Sequence, residues 1–310
     1  MTTRVGSGRG DPVIVWLHLL LACVSTSEMR SPPPRDSAGS WDTGGVDDTA
    51  ALCYDTAARD GCVPPEPPHA IAAHAGAPGE ARRDRVTCWS LSRAPDVDGL
   101  AVIAVGMDSG AVEAEVVVGE GRVPAGWYTR SIVRTGGQIR AIGRWGAERR
   151  LIRVDTQADR FVVGPPIRGF ELTQVGAEAF LSRARRVETY AAPQDLVAAR
   201  PARVVSALGA RLGTDRHHLL ASPGGWRLDP ISLAPIDRVR LKYSRALPEA
   251  FHGAAGKIFG LYDVHMWRDH GPRITVHDAA GGDMLRNVTL GRRFTLPGVG
   301  EVTLSGLWCE

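Results

Sequence analysis

The stretch Arg273-Ile274-Thr275-Val276-His277-Asp278-Ala279-Ala280-Gly281-Gly282-Asp283-Met284-Leu285-Arg286 decides the fold. An arginine-bearing run of strand-forming residues ends in Asp278, turns through glycines and resumes as a second apolar strand, which is the grammar of a hairpin. Similar phrases occur at Ile152-Arg153-Val154-Asp155-Thr156, Arg186-Val187-Glu188-Thr189-Tyr190 and Trp226-Arg227-Leu228-Asp229-Pro230. Between Val154, Val187, Leu228 and Val276 the intervals are 33, 41 and 48 residues. A unit recurring at this length cannot bury its apolar faces alone and must stack on its neighbours.

Around these phrases the chain reads as short β segments divided by Gly, Pro and Asp. Residues 100–105, the turn Met107-Asp108-Ser109-Gly110 and residues 111–118 form a hairpin. Further strands are expected over residues 138–143, 151–154, 177–182, 238–242, 257–262 and 273–277. One helix is expected, over residues 201–212, where Val204, Val205, Leu208 and Leu212 share a face and Gly213 follows. The class is therefore all-β.

The intervals match one blade of a β-propeller, about 40 to 50 residues for four strands. The hairpin at residues 274–286, in which a strand ends in Asp, turns through Gly and resumes, resembles the closing hairpin of WD-repeat and related bacterial propellers. The resemblance covers residues 85–310 and implies a propeller-like domain of about five or six blades. A β-sandwich is the alternative, since it also gives dense short strands. A ring of blades must be closed, because its first and last strands otherwise leave open edges. Residues 85–89 and 301–309 are expected to pair in one terminal blade.

The N-terminus speaks of location. Residues 1–22 combine Arg4 and Arg9 with an apolar core from Val13 to Leu21, the layout of a secretory signal. That core is too short for a membrane span, which needs about 20 apolar residues. Leu20-Leu21-Ala22-Cys23 resembles the lipobox of bacterial lipoproteins, which implies acylation of Cys23 and cleavage before it. Residues 23–48 are rich in Ser, Pro, Gly, Asp and Thr and read as a flexible tether, and residues 49–84 as a Cys/Pro-rich lead-in. The expectation is an exported protein of the bacterial cell envelope, held to a membrane by lipid, with an envelope protein or a glycan as partner.

Cysteine arithmetic follows from that assignment. With Cys23 given to lipid, the five cysteines leave Cys53, Cys62, Cys88 and Cys309, an even set suited to an oxidising compartment. Three pairings exist; Cys53 with Cys62 and Cys88 with Cys309 is favoured, because the latter two lie in strand-like segments at opposite ends of the folded region.

Composition excludes more than it assigns. Only Lys242 and Lys257 are lysines among 37 basic residues, and the net charge of +3 falls by one when residues 1–22 take Arg4, Arg9 and Asp11 away. No nucleic-acid partner is implied. Arginines such as Arg149, Arg150, Arg183, Arg185 and Arg186 read as solvated strand faces. There is no nucleophile elbow, phosphate loop, zinc-protease helix motif or dinucleotide fingerprint, and no cofactor is expected. The one cluster with metal-ligand chemistry is His265, Asp269, His270 and His277, beside Asp278, which would serve a metal-assisted hydrolase. Asp96-Val97-Asp98-Gly99 reads as a turn rather than a calcium loop, the later ligands being absent. Trp127, Trp145, Trp226, Trp267 and Trp308 read mainly as packing residues.

Overall fold

The computed structural model describes residues 70–119, 121–183, 186–198, 200–206, 211–214, 217–222, 226–239, 248, 250–262, 272–280, 282–291 and 293–310. All belong to the second of two units, Asp48–Glu310. Strands β1 (Ala70–Ala72) and β2 (His74–Ala75) come first, then β3 (Thr87–Ala94), β4 (Gly99–Gly106) and β5 (Ala111–Gly119). Next are β6 (Thr129–Thr135), β7 (Gln138–Trp145), β8 (Glu148–Asp155) and β9 (Arg160–Pro166). They are followed by β10 (Glu171–Val175), β11 (Glu178–Arg183), β12 (Arg186–Tyr190) and β13 (Arg203–Ser206). The next group is β14 (Arg211–Thr214), β15 (Leu219–Ser222), β16 (Trp226–Leu228) and β17 (Pro235–Arg238). The group after it is β18 (Ala250–Ala254), β19 (Lys257–Tyr262), β20 (Arg273–Asp278) and β21 (Met284–Thr289). A small ribbon, β22 (Thr295–Leu296) and β23 (Gly300–Glu301), precedes β24 (Ser305–Cys309).

Each group of four is an antiparallel meander, and β24 returns to pair with β3, completing a meander β24-β3-β4-β5. The leading strands pack in a ring: β24 lies against β6, β6 against β10, β10 against β14, β14 against β18, and β18 against β24. The described strands thus form a five-bladed β-propeller. Blade 1 is the composite one, and blades 2 to 5 follow in chain order.

Apolar alternation explains the ring. In β4 the side chains of Leu100, Val102 and Ala104 enter the core shared with blade 2, while Ala101, Ile103 and Val105 enter the core shared with blade 5. Successive side chains of a strand point to opposite faces, so a strand covered on both sides reads as an unbroken apolar run. The same division recurs where Leu151 and Ile152 part between neighbouring interfaces, and again at Ala179 and Phe180 and at Leu219 and Leu220. Five buried apolar clusters fill the five interfaces between successive blades.

Val154, Val187, Leu228 and Val276 fall in β8, β12, β16 and β20. The sequence period therefore marks the third strand of blades 2 to 5. Three of these strands lead into a turn capped by an aspartate: Asp155 accepts the N–H groups of Gln157 and Ala158, Asp229 those of Ile231 and Ser232, and Asp278 that of Ala280. Asp96-Val97-Asp98-Gly99 is the β3–β4 turn, with Asp98 in left-handed conformation and paired to Arg122 at 3.3 Å.

Three expectations are corrected. Residues 201–212 are not one helix; they contain β13 and the start of β14. The valines that share a helical face serve β13 equally well: Val204 and Val205 stand opposite Glu188 and Val187 of β12, and pairing overrides the weak helical period. Of the strand expected over residues 238–242, Arg238 is the last residue of β17 and Val239 is outside it, while residues 240–242 lie outside the described residues. Finally, the sheets begin upstream of Arg85: β1 adds in parallel to β21, the outer strand of blade 5, and β2 adds in parallel to β5, the outer strand of blade 1. This segment ties blades 5 and 1 together at their rims and covers part of two sheet edges.

Candidate functional site

The axis is the first place to look, because all five inner strands deliver side chains to it. Ser131 (β6), Glu171 and Thr173 (β10), Leu212 (β14), His252 (β18) and Leu307 (β24) surround a cavity of about 10 Å³, the size of one water molecule. Ser131, Glu171, Thr173 and His252 are all buried. Three of these polar groups are occupied in holding the next blade. The N–H of Leu172 donates to Ser131 Oγ at 2.6 Å, and that of Leu212 donates to Glu171 Oε2 at 2.6 Å. The N–H of Cys309 donates to His252 Nδ1 at 3.1 Å. Each is a side-chain acceptor on one inner strand meeting a backbone donor on its neighbour, so blades 2 and 3, 3 and 4, and 5 and 1 are stitched near the axis. At this level the described inner strands close on one another, and Ser131, Glu171 and His252 work as fasteners.

The closing seam is the second feature. Cys88 in β3 and Cys309 in β24 are directly opposite partners and form a disulfide, their Cα atoms 4.0 Å apart across a sequence separation of 221. Thr87 and Glu310 exchange both backbone hydrogen bonds beyond it, at 3.0 Å each. Trp89 Nε1 donates to the Glu310 carboxylate at 3.1 Å, Arg134 of β6 pairs with the same carboxylate, and the Arg134 guanidinium lies 4.1 Å from the Trp89 ring centre. Gly306 makes the seam's bulge possible. Its φ is +69°, and a Cβ there would stand 2.7 Å from Ile132 Cγ2. Cys53, Cys62 and Cys23 lie outside the described residues.

The metal reading meets a different arrangement at the one member of its cluster that is described. His277 is fully buried; its Nδ1–H donates to the Gly282 carbonyl at 3.2 Å and its Nε2 accepts from the Thr275 hydroxyl at 2.9 Å. Burial pushes its pKa down to about 4, with Arg273 adding to the effect and the Gly282 bond opposing it. His277 therefore clasps its own hairpin as a neutral imidazole, with both ring nitrogens engaged. His265, Asp269 and His270 lie outside the described residues, and among those described no three His, Cys, Asp or Glu side chains are grouped to hold a metal ion.

Not every arginine faces solvent. Arg183 Nη2 meets the buried carboxylate of Glu188 at 2.7 Å, and the Tyr190 hydroxyl donates to the same carboxylate at 2.9 Å. Burial raises the Tyr190 pKa to about 12, helped by that bond. Trp127 is buried, with its indole against Gly143, Trp145 packs near Phe161 at 6.0 Å, and Trp308 stacks on His252 at 4.1 Å, so these three indoles are packing groups. Sequence reasoning missed the buried acids Glu171 and Glu188. The available signal was a carboxylate inside a strand-forming run.

No protein-family model and no curated protein matches the chain. Solved structures with similar folds include the glutaminyl cyclase of Myxococcus xanthus, at 14% identity over 72% of this chain and 78% of that one, with a TM-score of 0.44. A nidogen/laminin complex gives 10% identity over 72% and 98%, with a TM-score of 0.44. TolB from Acinetobacter baumannii gives 13% over 63% and 51%, with a TM-score of 0.37. At these values they add nothing to the strand topology, which establishes the propeller by itself.

Proposed function

We propose that the chain is a bacterial cell-envelope lipoprotein, anchored through Cys23, whose propeller is a binding or scaffolding module for an envelope protein or glycan. The observation that carries the reading is the ring itself: it is closed through a Cys88–Cys309 disulfide, and it presents rims and blade edges on which a partner can dock. A disulfide joining distant parts of the chain fits an oxidising compartment and hence export. The lipobox residues Leu20-Leu21-Ala22-Cys23 and the polar stretch behind them support lipid attachment with a tether.

Labelling of cells with a fatty-acid analogue tests the anchor: label should enter the protein and vanish in Cys23→Ala. Retention of label in that variant overturns the lipid assignment. A metal-assisted hydrolase is the competing activity, and the engagement of both His277 nitrogens counts against it. Stoichiometric zinc in the purified protein, lost in His265→Ala or His270→Ala, would favour the hydrolase.

A further inference from the structure

We propose that the outer edge of blade 1 is a slot for an extended peptide, which adds to β5 as one more strand. β5 is paired with β4 along its inner edge, but among the described residues its outer edge is paired at the two ends only. Near its start β2 lies beside it, with the Gly76 N–H bonded to the Val112 carbonyl at 2.9 Å; near its end β9 lies beside it, with the Val118 N–H bonded to the Asp159 carbonyl at 3.1 Å. Between Val112 and Val118 the strand runs for roughly 20 Å at the usual rise per residue. Within that interval Glu113, Glu115 and Val117 are the residues whose backbone faces β4. Ala114 and Val116 share the outward phase of Val112 and Val118, and no described residue bonds their outward N–H and C=O groups. An unpaired row of this kind is a template for another strand.

The edge is also the floor of a cavity. A groove of about 410 Å³ lies over its Val112–Glu115 portion, within the size range of sites for small ligands. One wall is the turn from Pro78 to Arg82, fastened to β5 because the N–H groups of Gly79 and Ala81 both donate to the Glu113 carboxylate, at 2.6 and 2.5 Å. The other wall is Leu296 and Pro297, from the ribbon β22–β23. The walls differ in chemistry. Arg82 and Glu115 form an ion pair at 3.1 Å with both side chains partly open to solvent, while Leu296 continues the apolar core that Ala114 and Val116 join.

These features select the occupant. Alternate side chains of an added strand turn to opposite walls, so a peptide of about four residues with apolar and polar side chains in alternation fits the slot. Backbone bonds to Ala114 and Val116 provide the attachment, and the walls provide the choice of side chain. The proposal deepens the binding-module reading by naming a partner class. It is independent of the lipid anchor, since the peptide titration is read on purified protein and the labelling on cells, so either can fail alone.

The test uses the full chain, 15N-labelled, with a library of capped tetrapeptides that alternate valine with threonine, lysine or glutamate. In the free protein the amides of Ala114 and Val116 should exchange fast, and binding should slow them about tenfold or more while β4 amides stay unchanged. The same peptide N-methylated at the amides that meet β5 should lose binding. Ala114→Pro, which removes an N–H that β4 does not use, should retain the fold and abolish binding. Three outcomes overturn the proposal: Ala114 and Val116 amides already slow in the free protein, which means the chain covers its own edge; binding that survives N-methylation; or no library member that shifts these two amides.

Discussion

His252, on the inner strand of blade 5, accepts the backbone N–H of Cys309 at 3.1 Å, so the residue whose sulfur closes blade 1 is also held by the neighbouring blade. The imidazole lies 4.1 Å from the Trp308 ring at a tilt of 40°. An acceptor at Nδ1 places the ring proton of the neutral form on Nε2. Hydrogen bond and ring contact together tie the last strand to blade 5, while the disulfide ties it to blade 1.

His252→Ala should therefore destabilise the protein by about 2–3 kcal/mol, from a buried N–H left without its acceptor and from the lost ring contact. His252→Asn, whose Oδ1 occupies the position of Nδ1, should recover part of that loss. Urea unfolding of both variants beside the parent checks the order.

Reduction of the Cys88–Cys309 disulfide should cost about 2–5 kcal/mol, because it frees a long loop in the unfolded chain. Cys88→Ser with Cys309→Ser should unfold at the same lower urea concentration whether or not reductant is present, whereas the parent should move with reductant.

Acid should weaken the fold in a definite window. The folded pKa of His277 is depressed to about 4 from 6.5, so between those values the unfolded chain takes up a proton that the folded chain refuses. Stability contributed by neutral His277 is complete above about pH 6.5, declines as the pH falls toward 4, and amounts to about 3 kcal/mol in all. Asp155, bonded by Gln138, and Asp229, bonded by the Ser232 N–H, have pKa values below the usual 3.8, so their contribution is present above that range and is lost at still lower pH. In His277→Gln the decline between pH 6.5 and 4 should flatten, as followed by urea midpoints across that range.

Gly306→Ala should destabilise by at least about 1 kcal/mol, since the left-handed backbone at φ +69° is costly for a residue with a Cβ and that Cβ would meet Ile132. A thermal melt reads the loss. The same change at Gly136, also at positive φ but with no atom within 4 Å of its Cβ, should cost less.

Much of the architecture was legible because the third strand of a blade carries a signal that recurs along the chain. It is buried, it runs into a turn, and Asp155, Asp229 and Asp278 cap those turns in three blades. Blade 1 broke the series because β4, covered on both faces, carries no arginine and reads only as a hairpin. The pairing of Cys88 with Cys309 was legible from closure, since a ring needs its two ends in one sheet. The helix expected over residues 201–212 failed because β13 is an edge strand with Val204 exposed, and an edge strand lacks a clean period of two. Glu171 and Ser131 could not be found from the chain, because their role depends on which backbone N–H the neighbouring blade presents. His277 looked like a metal ligand for the same reason: its residue type was visible, but the Gly282 carbonyl and Thr275 hydroxyl that engage it were not.

Non-reducing peptide mapping of the protein isolated with its free thiols blocked tests the closed ring most directly. A single linked species joining the Cys88 peptide to the Cys309 peptide is the predicted result. A Cys88 peptide linked to Cys53 or Cys62, or recovered as a free thiol, would contradict the closure of blade 1 by the last strand.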